Sequence, residues 1–414
     1  MAVRFALALA YAAGVLAAAA AGPNGFSTSC RPGAPVGYGA GLHAINMSLD
    51  GWERRFLLFV PSAHRPSGGG PGPWAATAPP LQLPLWLLAP GAYESAENTV
   101  NMSGLVPFAE ARRFAFVALE GAGRMISVAA HGRASPRLPD DIRYTRAVLR
   151  EVTRKVCIDI DRVRCTGYSR GARFCSRLAS ELSNFVTGIA PVGGVRYPHP
   201  NNATQPMPII AIHGTEDRIN PYWGHGDPTY WNASVPAVLR RWADFNGCRH
   251  QAWRRKTKHV LLSEYSDCKS SASVVLVMIQ GDGHTWPGSP YLFPERQFGH
   301  MTTEIDGNSI MWEFFKKHPR LATCHTAREG EPCYRAVKEA MRTGFADHPE
   351  WEGTLEHLVS FEDFQSALHY GIYADCSRPC PTEDAAPQPT PASAPRPPAL
   401  APQPPGPALA VLPP

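Results

Sequence analysis

After its N-terminus the sequence has no apolar run long enough to cross a bilayer, which argues against a multi-span membrane protein. It has no Cys-X-X-Cys pair and no His-Glu-X-X-His stretch, so its ten cysteines are not spaced for zinc, and no metal is expected. Charged residues make up only 18% of the 414, and the net charge of +5 is spread along the chain. Without a long run of Lys and Arg interleaved with aromatics, a nucleic-acid partner is not expected. There is no internal repeat, which excludes a solenoid. What remains is a chain with 44% hydrophobic residues, enough for one large α/β domain plus smaller parts.

The chain opens "MAVRFALALAYAAGVLAAAAAGPNG", in which one Arg precedes a short Ala-rich apolar run that ends in small residues. This pattern predicts a signal peptide over residues 1–21, and the run is too short and Ala-rich for a stable membrane anchor. A secretory route makes disulfides the default for an even number of cysteines. Four Asn-X-Ser/Thr acceptors agree with that route, at Asn46, Asn101, Asn202 and Asn232. The protein is therefore expected to be secreted.

The apolar runs "RRFLLFVP", "LPLWLLAP" and "RFAFVALEG" predict strands, and "PDDIRYTRAVLREVTRKV" predicts a helix with Asp140 and Asp141 capping its start. Further strands are predicted in "DRVRCTGYS", "NFVTGIAPVGG", "MPIIAIHG" and "SVVLVMIQG", and helices in "GARFCSRLASEL" and "SIMWEFFKKHP". Apolar runs that do not alternate, interleaved with helices, indicate an α/β class with a mostly parallel central sheet. The expected organisation is a catalytic domain over 22–320, a small Cys-containing helical module over 321–381 and a disordered Pro/Ala-rich tail over 382–414. The module's four cysteines allow three pairings, and its expected role is to bind a surface or a glycan.

The stretch "CTGYSRGARFC" holds Gly-X-Ser-X-Gly between a predicted strand and a predicted helix, the setting of a nucleophile elbow. Ser169 needs a base, and the base needs an orienting carboxylate. Both follow in the order acid, then His, each after a predicted strand: Asp217 in "MPIIAIHGTEDRINPY" and His284 in "VVLVMIQGDGHTWPG". Glu216 and Asp282 are rival acids, and Asp282 is too near His284 in sequence to orient it. His213 is read as supporting the site by packing, and His300 and His325 lack a preceding strand. Oxyanion donors are expected from the Arg170 amide and from Gly91 or Ala92 after "LPLWLLAP". Trp286, Tyr222 and Trp223 flank the acid and His loops as candidates for a substrate-facing aromatic wall, with core packing as the alternative.

The pieces "SCRPGAP", "RRFLLFVP", "DDIRYTRAVL", "VCIDIDRVRCTGYSRG", "PIIAIHGTEDRINPY", "WADFNGC" and "GDGHTWPG" carry a resemblance across about Ser29 to Pro319. The chain resembles the secreted α/β-hydrolase esterases of the feruloyl esterase and polyhydroxybutyrate depolymerase group, relatives of carbohydrate esterase family 1. The resemblance implies an α/β-hydrolase fold, a Ser169–His284–Asp217 triad, no cofactor, and a bridge between Cys248 and Cys268. It implies a carboxylic ester as substrate, most directly one linked to plant or algal polysaccharide. A hydroxyalkanoate depolymerase and an acetyl-xylan esterase are the nearest alternatives. Two departures stand out: "LAPGA" replaces the usual His-Gly of the oxyanion loop, and Ala172 follows Gly171 where relatives have a second glycine. The first motivates a further alternative, a non-catalytic binding protein on the same scaffold. Cys165 and Cys175 are expected to brace the elbow to other segments through Cys30 and Cys157.

Overall fold

The computed structural model describes residues 30, 37–64, 82–128, 139–224, 231–319, 324–344, 360–370 and 376–380. The expected signal peptide (1–21) and Pro/Ala-rich tail (382–414) lie outside the described residues.

The unbroken apolar runs become strands buried on both faces. β3 (Leu83–Ala89), β4 (Ala115–Leu119), β6 (Ile189–Val192) and β7 (Ile209–Gly214) are buried at every residue. They join β1 (Gly41–Leu49), β2 (Trp52–Val60), β5 (Ile158–Tyr168), β8 (His250–Arg255), β9 (Val260–Ser266) and β10 (Val274–Ile279) in one ten-stranded sheet. The order is β1-β2-β4-β3-β5-β6-β7-β10-β9-β8. From β4 to β10 neighbouring strands are parallel, and the pairs at both margins are antiparallel. This is an α/β-hydrolase sheet with the hairpin β8–β9 added beyond β10.

Parallel strands need crossovers, and helices supply them on both faces. α1 (Ala96–Ser103) and α2 (Leu105–Arg112) follow β3, α3 (Asp141–Lys155) leads into β5, α4 (Arg170–Glu181) leaves it, and α5 (Val235–Asn246) follows β7. Asp140 caps α3 by accepting from the Ile142 amide at 2.9 Å. Asp141, expected to cap as well, is instead buried 2.6 Å from Arg54 and accepts from the Ser127 amide. An unpaired carboxylate there would be costly, so burial selects the ion pair. α6 (Gly307–Lys317) closes the domain by seating Trp312 on Phe114 at 5.3 Å and Phe315 on Trp86 at 5.4 Å.

All ten cysteines are paired. Cys165 and Cys175 bond to each other, and Cys30 bonds to Cys157, which corrects the expected bracing to other segments. The reason is local: Cys165 on β5 and Cys175 on α4 both point into the core layer between strand and helix. Cys248 is bonded to Cys268 at the base of the β8–β9 hairpin. Beyond α6, α7 (Pro332–Thr343) and α8 (Phe361–Tyr370) share a small core around Val337 and Leu368. Cys324–Cys380 and Cys333–Cys376 close this segment. No described helix is long and apolar enough to cross a membrane.

Candidate active site

β5 runs straight into α4, and Ser169 is the hinge between them. Its backbone sits at φ 55° and ψ −112°, a region that non-glycine residues rarely occupy and that surrounding contacts must hold. The Ser169 amide donates to Val192 O at 2.9 Å, and the Arg173 amide donates to Ser169 O at 3.2 Å. Close packing completes the clamp. A Cβ at Gly171 would lie 2.0 Å from Ala89 O, and one at Gly194 would lie 2.2 Å from Ser169 O. Only glycine fits at either position. Ser169 is 8% exposed, at the carboxyl end of the parallel strands.

β7 and β10 are neighbours, so the loops that leave them meet. His284 Nδ1 lies 2.7 Å from Asp217 Oδ2. A carboxylate only accepts, so Nδ1 carries the proton and Nε2 is left as the basic nitrogen. Asp217 Oδ1 accepts from the Ile219 and Asn220 amides at 2.9 and 2.7 Å. Burial alone would raise the Asp217 pKa, but hydrogen bonds from His213 and His284 outweigh it and hold the carboxyl well below the usual carboxylate range. The His284 ring is fixed from several sides. Its amide donates to Phe298 O at 2.6 Å, and its carbonyl accepts from Tyr168 Oη at 2.6 Å. The Tyr168 and His284 rings are 4.8 Å apart between centroids. The turn Gly193–Gly194 lies between base and serine. A Cβ at Gly193 would come within 3.2 Å of the His284 ring, while Gly194 abuts the Ser169 main chain.

No protein-family model matches the chain. A putative esterase, NocK, of Nocardia uniformis subsp. tsuyamanensis is 29% identical over 266 residues, covering 56% of this chain and 75% of that protein. Feruloyl esterase B of Piromyces equi is 28% identical over 162 residues, 35% of this chain and 29% of that protein. Feruloyl esterase D of Neurospora crassa is 25% identical over 186 residues, 43% of this chain and 56% of that protein. The chain is therefore similar to esterases, enzymes that hydrolyse carboxylic esters. It spans less than two thirds of the length of either feruloyl esterase. Among solved structures, an acetyl xylan esterase from Aspergillus awamori aligns over 67% of this chain and 99% of its own, with TM-score 0.46 and 12% identity.

The remaining expected residues fall into two groups. Arg170 is the first residue of α4, and its guanidinium Nε donates to Ile126 O at 2.6 Å. Gly91 is buried against Tyr168, and Ala92 is exposed beside it. The next amide, of Tyr93, is already used by Arg124 O at 2.9 Å. Tyr222 and Trp286 are core residues at 2% and 0% exposure, so neither offers a face to a ligand, whereas Trp223 is 73% exposed. The loops after β3, β7 and β10 present Tyr93, Trp223, Tyr291 and Leu292, each at least half exposed. Glu216, the rival acid, uses its amide to hold Asp282 O at 2.8 Å. Asp282 itself pairs with His300 Nδ1 at 2.8 Å, away from His284.

One residue of the site, Asn220, went unrecognised in the sequence, and another, His213, does more than the packing expected of it. Wholly buried Asn220 donates from Nδ2 to Gly193 O at 2.6 Å and accepts from Arg173 Nη2 at 3.0 Å. It thereby ties α4, the turn beside His284 and the acid loop together. His213, read as packing, does more: its Nε2 lies 2.8 Å from Asn220 O and 3.2 Å from Asp217 Oδ2. A nitrogen between two acceptors carries a proton, so His213 is a second donor to the acid. The sequence signal available was a polar residue three places after the acid, directly before Pro221.

Proposed function

We propose that this protein is a secreted serine esterase in which Ser169 is the nucleophile, His284 the general base and Asp217 its orienting anion. The observation that carries the reading is the strained Ser169 packed against the turn that touches the His284 ring, with that ring bonded to buried Asp217. Ser169 Oγ bonds to the ester carbonyl carbon as its proton passes to His284 Nε2. The carbonyl oxygen becomes an oxyanion held by the Arg170 amide and that of Ala92 or Gly91. As the tetrahedral centre collapses, the bond to the alcohol breaks and His284 returns the proton to it. Water then repeats the sequence on the acyl-enzyme and frees the acid and Ser169. No cofactor enters these steps.

The substrate proposed is a feruloyl-type ester on plant or algal polysaccharide. The feruloyl esterase relatives support it, as does the exposed rim of Tyr93, Trp223, Tyr291 and Leu292, which suits an aromatic acyl group. The same exposed rim favours a second reading, contact with an apolar polyester by a hydroxyalkanoate depolymerase. A panel of methyl ferulate, acetylated xylan and polyhydroxybutyrate separates these. Five disulfides and four acceptor asparagines that are all exposed support secretion. The segment carrying α7 and α8 is assigned to holding the enzyme at a surface or glycan. The test of the chemistry is Ser169→Ala: turnover of p-nitrophenyl acetate should fall by about 10⁴-fold. Undiminished turnover would overturn the assignment.

A further inference from the structure

Residues 248–261 read "CRHQAWRRKTKHVL", and the small net charge of the whole chain conceals how basic this stretch is. It folds as the added hairpin, with β8 at the open margin of the sheet and all six of its residues exposed. At the base of the hairpin the charge is balanced: Arg249 lies 2.8 Å from Asp267, and His250 3.6 Å from the same carboxylate. At the tip it is not. Arg254, Arg255, Lys256 and Lys258 are all exposed, and none makes an ion pair among the described residues. The carboxylate held at the tip, Glu304, is taken up by His259 and Thr257. The tip is also ordered. Arg255 Nη1 donates to Lys258 O, and the Lys256 and Thr257 amides donate to Val260 O.

Charges on an edge strand commonly serve to block pairing with another sheet. That purpose does not account for Trp253, which is 51% exposed on the same strand and adds an apolar surface where protection would avoid one. Trp253 and Arg255 are two residues apart, so they share one face at a spacing of about 7 Å. An aromatic plate beside a guanidinium fits a sugar ring that carries an acidic group. Placement matters as well. Val260 pairs with Ile279, the last residue of β10, so the tip lies at the same end of the sheet as the His284 loop. The Gln280 amide, on that loop, donates to His259 O at 2.9 Å.

We propose that the tip of the β8–β9 hairpin binds acidic polysaccharide, a sugar chain bearing carboxylate or sulfate groups. Trp253 stacks on a sugar face, and Arg254, Arg255, Lys256 and Lys258 pair with the anions. A chain held there lies along the margin that leads to the catalytic loops. Nucleic acid shares the anionic backbone and stackable rings. The choice of polysaccharide rests on the extracellular reading above; the charge and geometry do not.

The test measures binding to immobilised polygalacturonate and heparin, with duplex DNA and neutral xylan alongside, over a range of salt. All proteins carry Ser169→Ala, so the result is independent of ester hydrolysis. Quadruple reversal at the tip (Arg254→Glu, Arg255→Glu, Lys256→Glu, Lys258→Glu) should raise Kd for one or both acidic polysaccharides by about tenfold or more and flatten the salt dependence. A control with the same net charge (Arg112→Glu, Arg113→Glu, Lys316→Glu, Lys317→Glu) should bind like the parent. Trp253→Ala should weaken polysaccharide binding without changing the salt slope. Circular dichroism and melting midpoints check that each variant is folded. Polygalacturonate against heparin decides between carboxylate and sulfate. Equal weakening by the tip and control variants would overturn the proposal, as would binding to neither acidic polysaccharide. So would tighter binding to DNA together with indifference to Trp253→Ala.

Discussion

The parallel centre and the antiparallel β8–β9 margin of one sheet treat charge in opposite ways. At the centre charges are few and each is matched by several partners: Asp217 accepts two backbone amides and two imidazoles. At the margin cations are many and the four at the hairpin tip have no carboxylate partner among the described residues. Burial explains the difference. A buried charge without partners is expensive, so the centre holds its ions among opposite charges and hydrogen-bond partners. Water satisfies the margin, which leaves those charges free to meet a ligand.

This contrast can be broken or sharpened by substitution. The largest effects belong at the centre. Asp217→Asn and His284→Ala should each lower kcat/KM by about 10³- to 10⁴-fold, read on p-nitrophenyl acetate. Replacing both Cys165 and Cys175 by Ala should cost about 2–3 kcal/mol in urea unfolding, since the bond closes a short loop in the core beside the elbow. Asn220→Val keeps the backbone groups but removes the ties to Gly193 and Arg173. It should lower kcat by about 10- to 100-fold through misplacement of His284, with KM little changed. His213→Gln retains a donor towards Asp217 and should keep more activity than His213→Leu, which has none.

A smaller effect concerns acid stability. The folded-state pKa of Asp217 lies below its unfolded value, so its ionisation stabilises the fold above about pH 4. That contribution is lost as pH falls through the depressed folded value. The Asp217→Asn protein should therefore melt earlier than the parent at neutral pH, with the gap closing in acid. The smallest effect belongs at the margin: the tip reversal should shift stability by no more than about 0.5 kcal/mol, because no native contact is lost by the reversed charges except the Arg255–Lys258 bond. A large loss there would mean that the tip is part of the fold, and the contrast would fail.

The same contrast governs what the sequence disclosed. β3, β4, β6, β7 and β10 were legible because burial on both faces demands unbroken apolar runs. The elbow motif was legible because a Cβ at Gly167 or at Gly171 would meet Ala89 O, so both positions require glycine. β1 was missed because its residues alternate between half-buried and exposed, and β8 because it is wholly exposed. The Cys165–Cys175 bond was missed because ten cysteines leave many pairings open and only the strand–helix geometry selects one. Asn220 was missed for a related reason: its role depends on Gly193 and Arg173, both distant in sequence. Tyr222 and Trp286 attracted attention by residue type, but placement decides whether an aromatic faces a ligand or the core.

The central claim, that Ser169 is an activated nucleophile, is tested most directly by treating the folded protein with a fluorophosphonate and mapping the adduct by mass spectrometry. The account predicts one adduct per chain on the peptide containing Ser169, abolished by Ser169→Ala and strongly slowed by His284→Ala. A folded protein that does not react, or that is labelled equally after Ser169→Ala, would contradict it.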